Sequence, residues 1–266
     1  MRVACVRDAL VHYEDLAPAT TAGPVGAPLV LIHALGTDAR LWDPMLARWP
    51  SNTRRIRFDL RGHGLSSCPP APYTIDQLVD DAAALLDHLD VGPAVLVGVS
   101  LGGMIAQGLA ARHRGRARAL VLSNSAAKMG TAAFWNERVE QIEHHGLPAR
   151  ADAIVERWFA PGWGSDGERI GWRNLLARTP AAGYIGCCRA LAGADLSKST
   201  ATLTLPTLVI AGGLDQACPP DEVRRTADLV PGARFACIDE AAHLPCLETP
   251  DAFVARVHPF VKELTA

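Results

Sequence analysis

The sequence lacks long apolar runs and blocks of like charge. No apolar run among its 266 residues approaches the roughly 20 residues that a membrane-spanning helix requires. Charged residues recur within residues 1–8, too early for the apolar segment of a secretory signal peptide. The formal net charge is -2, which favours neither nucleic acid nor an anionic membrane as a partner. We therefore predict a cytoplasmic protein that binds no nucleic acid and no membrane.

The cysteine pattern argues against a disulfide framework and against a zinc site. The seven cysteines are an odd number scattered along the chain, and the adjacent Cys187 and Cys188 are poorly placed to bridge each other. Without an export signal, we expect them to remain reduced thiols. No spacing of cysteine and histidine resembles a zinc site, so we predict no metal.

The composition is that of a folded domain, because 49% of the residues are hydrophobic and 20% are charged. Short runs rich in Val, Leu and Ile alternate with longer amphipathic stretches. This alternation predicts an α/β fold with a mostly parallel central sheet flanked by helices. The predicted strands are residues 29–33, 55–59, 94–99, 119–123, 207–211 and 235–238, with one or two more from residues 2–13 at one edge.

The connecting segments have helical spacing. The apolar residues between positions 75 and 89 recur every three or four residues after Thr74, which suits a helix N-cap. Residues 101–113 and 221–229 are also predicted helices. A last helix is predicted over residues 250–264, where Pro259 should bend or interrupt it.

Residues 131–199 break the strand–helix alternation. They have helical patterns and four of the six tryptophans, but no clear buried strand. We predict a helical cap, or lid, over residues 131–199, inserted into a core domain of residues 1–130 and 200–266. The alternative is a helical packing layer with no part in catalysis.

The strongest motif is G-x-S-x-G at residues 98–102, between a predicted strand and a predicted helix. Its two glycines allow the backbone to pass closely around a strained turn, which leaves the hydroxyl of Ser100 exposed above the sheet. A serine hydroxyl in this position is a candidate nucleophile, provided that a base can take its proton.

The base and its partner are predicted on loops that follow later strands. His243 lies just after the last predicted strand, and Asp215 follows the strand before it, so the order Ser, acid, His is that of the α/β-hydrolase fold. Asp215 would orient the imidazole and stabilise its charged form. Asp221 suits a helix N-terminus instead, and Asp239 is too close to His243 in sequence. An acid after residue 123 is excluded, because Asn and Ser follow there.

An oxyanion hole requires preorganised donors. The run H-A-L-G at residues 33–36 ends a strand and resembles an H-G-x-G oxyanion loop, with Ala34 in place of the first glycine. We assign the backbone N–H groups of Leu35 and Leu101 to the hole. His33 and the turn at residues 59–66 are predicted to be structural.

With these residues assembled, the chain resembles the α/β-hydrolase superfamily over essentially its whole length, and within it the 3-oxoadipate enol-lactonases. The segments that carry the narrower resemblance are L-G-T-D at 35–38, L-W-D-P at 41–44, F-D-L-R-G-H-G at 58–64, residues 99–110 and 122–128, and, in the cap, R-W-F at 157–159, R-T-P at 178–180 and G-Y-I-G-C-C at 183–188.

The resemblance implies hydrolysis of 3-oxoadipate enol-lactone in aromatic catabolism by an acyl-enzyme mechanism without a metal or organic cofactor. The partner would be a small-molecule lactone that carries a carboxylate arm. We predict that Arg189 binds this carboxylate and that Trp135 forms a wall of the pocket. The alternative for Arg189 is a solvated charge on the cap surface.

Other functions are compatible with the same fold. A general carboxylesterase or a carbon–carbon bond hydrolase could use the same triad, and a ligand receptor without turnover could retain it. Serine at position 100 argues against dehalogenase and epoxide hydrolase chemistry, which on this fold use an aspartate nucleophile. The sequence is compatible with a homo-oligomer and does not fix the oligomeric state.

Overall fold

The computed structural model describes residues 1–18, 26–50 and 52–264. They form an eight-stranded sheet with the order β1-β2-β4-β3-β5-β6-β7-β8. β1 pairs antiparallel with β2, β2 pairs antiparallel with β4, and the other five pairings are parallel, which confirms the predicted mostly parallel sheet and its extra edge strands. The strands are β1 Arg2–Val6, β2 Ala9–Leu16, β3 Leu29–Ile32, β4 Arg55–Phe58, β5 Ala94–Val99, β6 Ala117–Ser123, β7 Thr207–Gly212 and β8 Arg234–Ile238.

Helices cover the sheet and fill most of the connections. The predicted cap of the second helix is confirmed: the Thr74 hydroxyl accepts from the backbone N–H of Gln77, whose side chain accepts from the N–H of Thr74. The helices are a 3-10 turn at Ala39–Trp42, then α1 Asp43–Leu46, α2 Ile75–His88, α3 Leu101–Arg112, α4 Ala132–His145, α5 Leu147–Val155, α6 Asp166–Arg178, α7 Ala181–Ala192, α8 Ser197–Thr200, α9 Pro220–Leu229, α10 Pro245–Glu248 and α11 Pro250–Glu263.

The centre of the sheet forms the core. Every residue of β3, β5 and β7 is buried, as expected for parallel strands covered on both faces. The strand order reverses between β3 and β5, because β4 lies on the far side of β3. In open α/β sheets, ligands bind at the carboxyl ends of the strands at such a reversal. The segments that follow β3 and β5 contain Leu35 and Ser100.

The segment between β6 and β7 is helical, as predicted. Residues 131–199 are all described; they hold α4 to α7 and the start of α8, and contain no strand. Helix α4 packs against α7, and α5 packs against α6. The role of this insertion as a lid stays a prediction.

Of the predicted bend or interruption at Pro259, the interruption is wrong, because α11 continues through this residue to Glu263, and the bend stays a prediction. An interior proline costs a helix about 3 kcal/mol. Here the helix buries four apolar side chains, each contributing about 1.5–3 kcal/mol, which outweighs that cost; they are Phe253, Val257, Phe260 and Val261. None of the described helices is long and apolar enough to cross a membrane.

Candidate active site

Ser100 lies at the sharp turn between β5 and α3. Its backbone has φ 56° and ψ −121°, a conformation that costs energy for any residue other than glycine. The neighbouring glycines make the turn sterically feasible: a Cβ on Gly102 would lie 2.1 Å from the carbonyl oxygen of Ile32, and one on Gly98 would lie 2.2 Å from that of Gly102. The hydroxyl of Ser125 donates to the carbonyl of Ser100 at 2.7 Å, and this hydrogen bond helps to hold the turn. The turn therefore has the strained geometry predicted from the motif.

The candidate base and acid meet at the carboxyl ends of β7 and β8. His243 Nδ1 lies 2.8 Å from Asp215 Oδ2, and both side chains are buried. The two strands are parallel neighbours, so their following loops lie side by side. Gly212 permits the close approach, because a Cβ there would lie 1.9 Å from the carbonyl oxygen of Ala242. The predicted pairing of Asp215 with His243 is thus present in the structure.

The carboxylate of Asp215 has hydrogen-bond partners on both oxygens. Oδ1 accepts from the backbone N–H groups of Ala217 and Cys218 at 2.7 and 3.0 Å. Burial would raise the pKa of Asp215, but His243 and the hydrogen bonds outweigh it and hold the pKa below its ordinary value. An ionised carboxylate only accepts, so His243 Nδ1 carries the proton and Nε2 presents a lone pair.

Sequence reasoning missed Asn124, which it used only to exclude an acid after β6. Its side-chain amide donates to Asp215 Oδ2 and to the carbonyl of Ala242, both at 2.8 Å. Its backbone has φ 49°, a conformation that asparagine adopts more readily than most residues. The signal available in the sequence was an asparagine at the carboxyl end of a central strand. In the fold, Asn124 fixes the acid relative to the loop that carries His243.

The loop that carries His243 is also hydrogen-bonded to the insertion. The N–H of His243 donates to the carbonyl of Trp158 at 3.1 Å. The half-buried carboxylate of Glu248 accepts from the N–H groups of Ala160, Ala242 and Leu244, at distances from 2.7 to 3.2 Å. Burial raises the pKa of Glu248. The insertion and the histidine loop are therefore one hydrogen-bonded unit, which sequence reasoning did not predict.

Two buried histidines hold the predicted oxyanion loop. His63 Nε2 accepts from the N–H of Gly36 at 3.0 Å, and His33 Nε2 accepts from the N–H of Leu60 at 2.9 Å. Burial lowers the pKa of both imidazoles, that of His63 to about 4. Both are therefore neutral and able to accept at physiological pH, which agrees with the structural role predicted for His33.

The turn at residues 59–66 has its charges paired within the fold, as predicted. Asp59 accepts from the N–H groups of Ala39 and Leu65, each at 2.8 Å. The guanidinium of Arg61 makes two hydrogen bonds to the carboxylate of Asp81, at 2.6 and 2.8 Å. These contacts connect the oxyanion loop to α2.

The two predicted oxyanion donors remain available. The N–H of Leu35 makes no hydrogen bond within the described part of the chain. Leu101 begins α3, where an N–H has no partner in its own helix. Leu35 also lines the cavity described next. Assignment of these N–H groups to the oxyanion hole stays a prediction that this geometry supports.

Ser100 and His243 line one cavity, here called the Ser100 cavity, with a volume of about 60 Å³. The Ser100 hydroxyl makes no hydrogen bond within the described residues; contacts of this kind often tighten only in the substrate complex. Trp135 forms part of the wall, as predicted, and its indole N–H donates to the carbonyl of Met129 at 2.6 Å. The remaining lining residues are Leu35, Met129, Gly130, Phe134, Arg138, Ile154, Arg157, Trp158, Tyr184 and Ala217.

The structure does not place Arg189 in this cavity. Arg189 lies on the exposed face of α7 and pairs with Glu143 at 3.0 Å. Its neighbour Cys188 faces the interior, and consecutive side chains on a helix point about 100° apart, so adjacency to the buried cysteines did not imply a place in the pocket. The solvated alternative was correct.

The cations in the cavity wall are Arg138 and Arg157. Arg138 follows Trp135 by three residues on α4, a spacing that places both on one helix face and could have identified it from the sequence. Its guanidinium lies over the rings of Phe134 and Trp135, at 4.9 and 5.4 Å from their centres. Within the described residues, neither arginine forms an ion pair.

Comparison with known proteins agrees with this geometry. The alpha/beta hydrolase family model matches residues 29–256. The chain belongs to the alpha/beta hydrolase family. It is 34% identical to 3-oxoadipate enol-lactonase 2 of Acinetobacter baylyi, over 94% of this chain and 97% of the relative. It is also similar to the crystal structure of the enol-lactonase from Burkholderia xenovorans, with a TM-score of 0.90 and 34% identity over 98% of this chain and 100% of that one. A more distant relative is a pimeloyl-[acyl-carrier protein] methyl ester esterase of Neisseria meningitidis, 29% identical over 87% of this chain and 92% of the relative. The protein is a hydrolase enzyme.

Proposed function

We propose that this hydrolase opens 3-oxoadipate enol-lactone to 3-oxoadipate, with Ser100, His243 and Asp215 as its catalytic triad. The observation that carries the choice of substrate is Arg138, a cation that has no carboxylate partner within the described residues and lies in the wall of the cavity that contains Ser100. The similarity to enol-lactonases over nearly the whole chain supports the same choice. The proposal implies a role in the breakdown of aromatic compounds, in the cytoplasm.

The reaction begins when Ser100 Oγ attacks the lactone carbonyl and His243 Nε2 takes its proton. The N–H groups of Leu35 and Leu101 stabilise the oxyanion that forms on the carbonyl oxygen. The ring C–O bond then breaks, and the leaving enolate takes the proton from His243 and tautomerises to a ketone, which disfavours reclosure. His243 next activates a water, which attacks the acyl carbon and releases the acid and the free serine.

Arg138 would bind the acetate arm of the lactone. The guanidinium lies over the rings of Phe134 and Trp135, and its one hydrogen bond within the described residues goes to the Tyr184 hydroxyl at 3.4 Å. A carboxylate bound there would gain a charge-assisted hydrogen bond in a largely apolar cavity. The position of Arg138 on the cap side leaves the ring free to face Ser100.

The test is the ultraviolet loss of freshly generated 3-oxoadipate enol-lactone, run beside a p-nitrophenyl ester. We expect the lactone to be consumed much faster than the ester, and Ser100→Ala to lower kcat by at least about 10⁴-fold, because the nucleophile is lost while the fold remains. Circular dichroism of Ser100→Ala controls for folding.

Other outcomes would select among the alternatives. Cleavage of the ester without loss of the lactone would replace the lactonase assignment with a carboxylesterase, and cleavage of a vinylogous diketone alone would indicate a carbon–carbon bond hydrolase. Binding of the lactone without turnover would indicate a receptor. Full activity of Ser100→Ala would contradict the triad itself.

A further inference from the structure

Two larger spaces adjoin the Ser100 cavity. An outer groove of about 1230 Å³ lies between α5, α6 and the loop after β7, and a cleft of about 300 Å³ lies between α4 and α5. Arg157 is the one described residue that lines the Ser100 cavity, the outer groove and the cleft. Among the described residues, only Arg157 lines both the Ser100 cavity and the outer groove, so its side chain lies between the serine and this groove, whereas the cleft also shares Phe134, Arg138 and Ile154 with the cavity.

The Ser100 cavity is too small for a substrate as it stands. Its volume of about 60 Å³ has room for only a few water molecules, each of which needs roughly 10–15 Å³. Pockets that bind small molecules usually measure about 300–1,000 Å³. A lactone with an acetate arm can reach Ser100 only if a side chain in the wall moves.

Arg157, the wall residue shared with the outer groove, can move without exposing a large apolar side chain. Its guanidinium donates to the carbonyl of Gln216 at 2.6 Å, and it has no ion pair within the described residues. It is half-buried, so its charge can remain hydrated after it turns into the outer groove. The neighbouring Trp158 and Ile154 are buried, and moving them would expose apolar surface to water.

The contact with Gln216 also places this partition beside the catalytic acid. Gln216 follows Asp215 directly, and the next residue, Ala217, lines the Ser100 cavity and donates its N–H to Asp215. The Arg157–Gln216 hydrogen bond thus joins the insertion to the acid loop and closes the cavity between them.

We propose that Arg157 is a specificity-determining residue, which controls the size of the molecules that reach Ser100. With the Gln216 contact formed, the Ser100 cavity is sealed from the outer groove; when the contact breaks, cavity and groove become continuous and a substrate can pass. This role is argued from the lining of the cavity and the groove and from the contact with Gln216. The nature of the molecule that passes rests on the proposed function.

The first test measures access without requiring lactonase activity. Alkyl fluorophosphonates form a bond from Ser100 Oγ to phosphorus and release fluoride, so their labelling rates report how readily each size reaches the serine. We expect Arg157→Ala to raise the ratio of labelling rates, long-chain over diisopropyl reagent, by at least about tenfold. Arg157→Met, which retains bulk and loses the hydrogen bond, should raise it less.

Arg169→Ala is the matched control. Arg169 lines the outer groove, is not part of the Ser100 cavity, and also donates to a main-chain carbonyl at 2.6 Å, that of Trp163. We expect its labelling ratio to equal that of the wild type. An unchanged ratio in both Arg157 variants, with their circular dichroism unaltered, would overturn the proposal.

Turnover gives the second readout. In Arg157→Ala, the preference for the enol-lactone over p-nitrophenyl octanoate should fall by at least about tenfold, because larger acyl chains gain access. If wild type ignores the lactone and the labelling ratio still rises, the proposed function fails and the role of Arg157 stands. If the lactone is cleaved and the labelling ratio does not change, the proposed function stands and the role of Arg157 fails.

Discussion

The two walls of the Ser100 cavity differ in how their polar groups are satisfied. On the core side, the carboxylate of Asp215 has four hydrogen-bond partners from three segments of the chain. On the side of the insertion, Arg138 and Arg157 line the cavity without an ion pair within the described residues. The core therefore fixes the groups that we propose to react, while the insertion presents charge that a ligand can neutralise.

The largest loss of activity should come from removing the charge of Asp215, on the core side of the cavity. Asp215→Asn retains the shape of the side chain but removes its charge, so His243 is no longer held with Nδ1 protonated and its charged form is not stabilised. We expect kcat to fall about 10⁴-fold, as for the equivalent change in a serine protease triad. Activity assays on lactone and ester measure it.

Asp221→Asn is the control for this change. Asp221 lies in the first turn of α9, as the sequence predicted, and competed with Asp215 as a candidate acid. Its substitution should leave kcat within about twofold, since it removes only a favourable interaction with the helix N-terminus. A large loss in Asp221→Asn, or none in Asp215→Asn, would reassign the acid.

A smaller loss of activity should come from removing the hydrogen bonds by which Glu248 joins the insertion to the loop of His243. Glu248→Ala leaves three N–H groups without their acceptor and frees the loop of His243, so we expect kcat to fall about 10- to 100-fold. Glu248→Gln retains an acceptor oxygen and should recover most of that loss. KM for the ester should change little in either variant.

The recovery of kcat in Glu248→Gln distinguishes a role in positioning His243 from a role in folding alone. If Ala and Gln lower the free energy of unfolding alike but only Ala lowers kcat, the carboxylate positions His243. Equal kcat in wild type and Glu248→Ala would mean that the loop is held by other contacts, such as the bond from His243 to the carbonyl of Trp158.

The sequence predicted the core side of the site better than the other. The turn at Ser100 and the loops of Asp215 and His243 follow strands whose carboxyl ends must meet at one edge of a parallel sheet, so their proximity follows from topology. Asn124 and Glu248 form hydrogen bonds with groups that lie far away in sequence, such as the carboxylate of Asp215 and the N–H of Ala160. No residue pattern encodes such contacts, and only the folded backbone reveals them.

The insertion was harder to predict because its helices lack a strong periodic signal. Its helical nature was predicted correctly, and Trp135 lies in the cavity wall as expected. The face that each helix presents inward depends on the packing of α4 against α7, which the spacing of apolar residues left open. Arg189 was therefore assigned to the wrong side of α7.

The last pair of changes should separate the two candidate carboxylate partners on the insertion, and it includes the smallest expected effect. Arg138→Ala removes a charged hydrogen-bond donor from the cavity, worth about 1.5–3 kcal/mol, so KM for the lactone should rise roughly 10- to 150-fold. The methyl ester of the lactone, which lacks the carboxylate, should show little change.

Arg189→Ala breaks only a half-exposed pair with Glu143, worth about 0–1 kcal/mol, and should leave KM unaltered. A rise in KM that is equal for acid and methyl ester would show that Arg138 shapes the cavity without binding the carboxylate, and a rise in Arg189→Ala would mean that α7 turns its outer face inward when substrate binds.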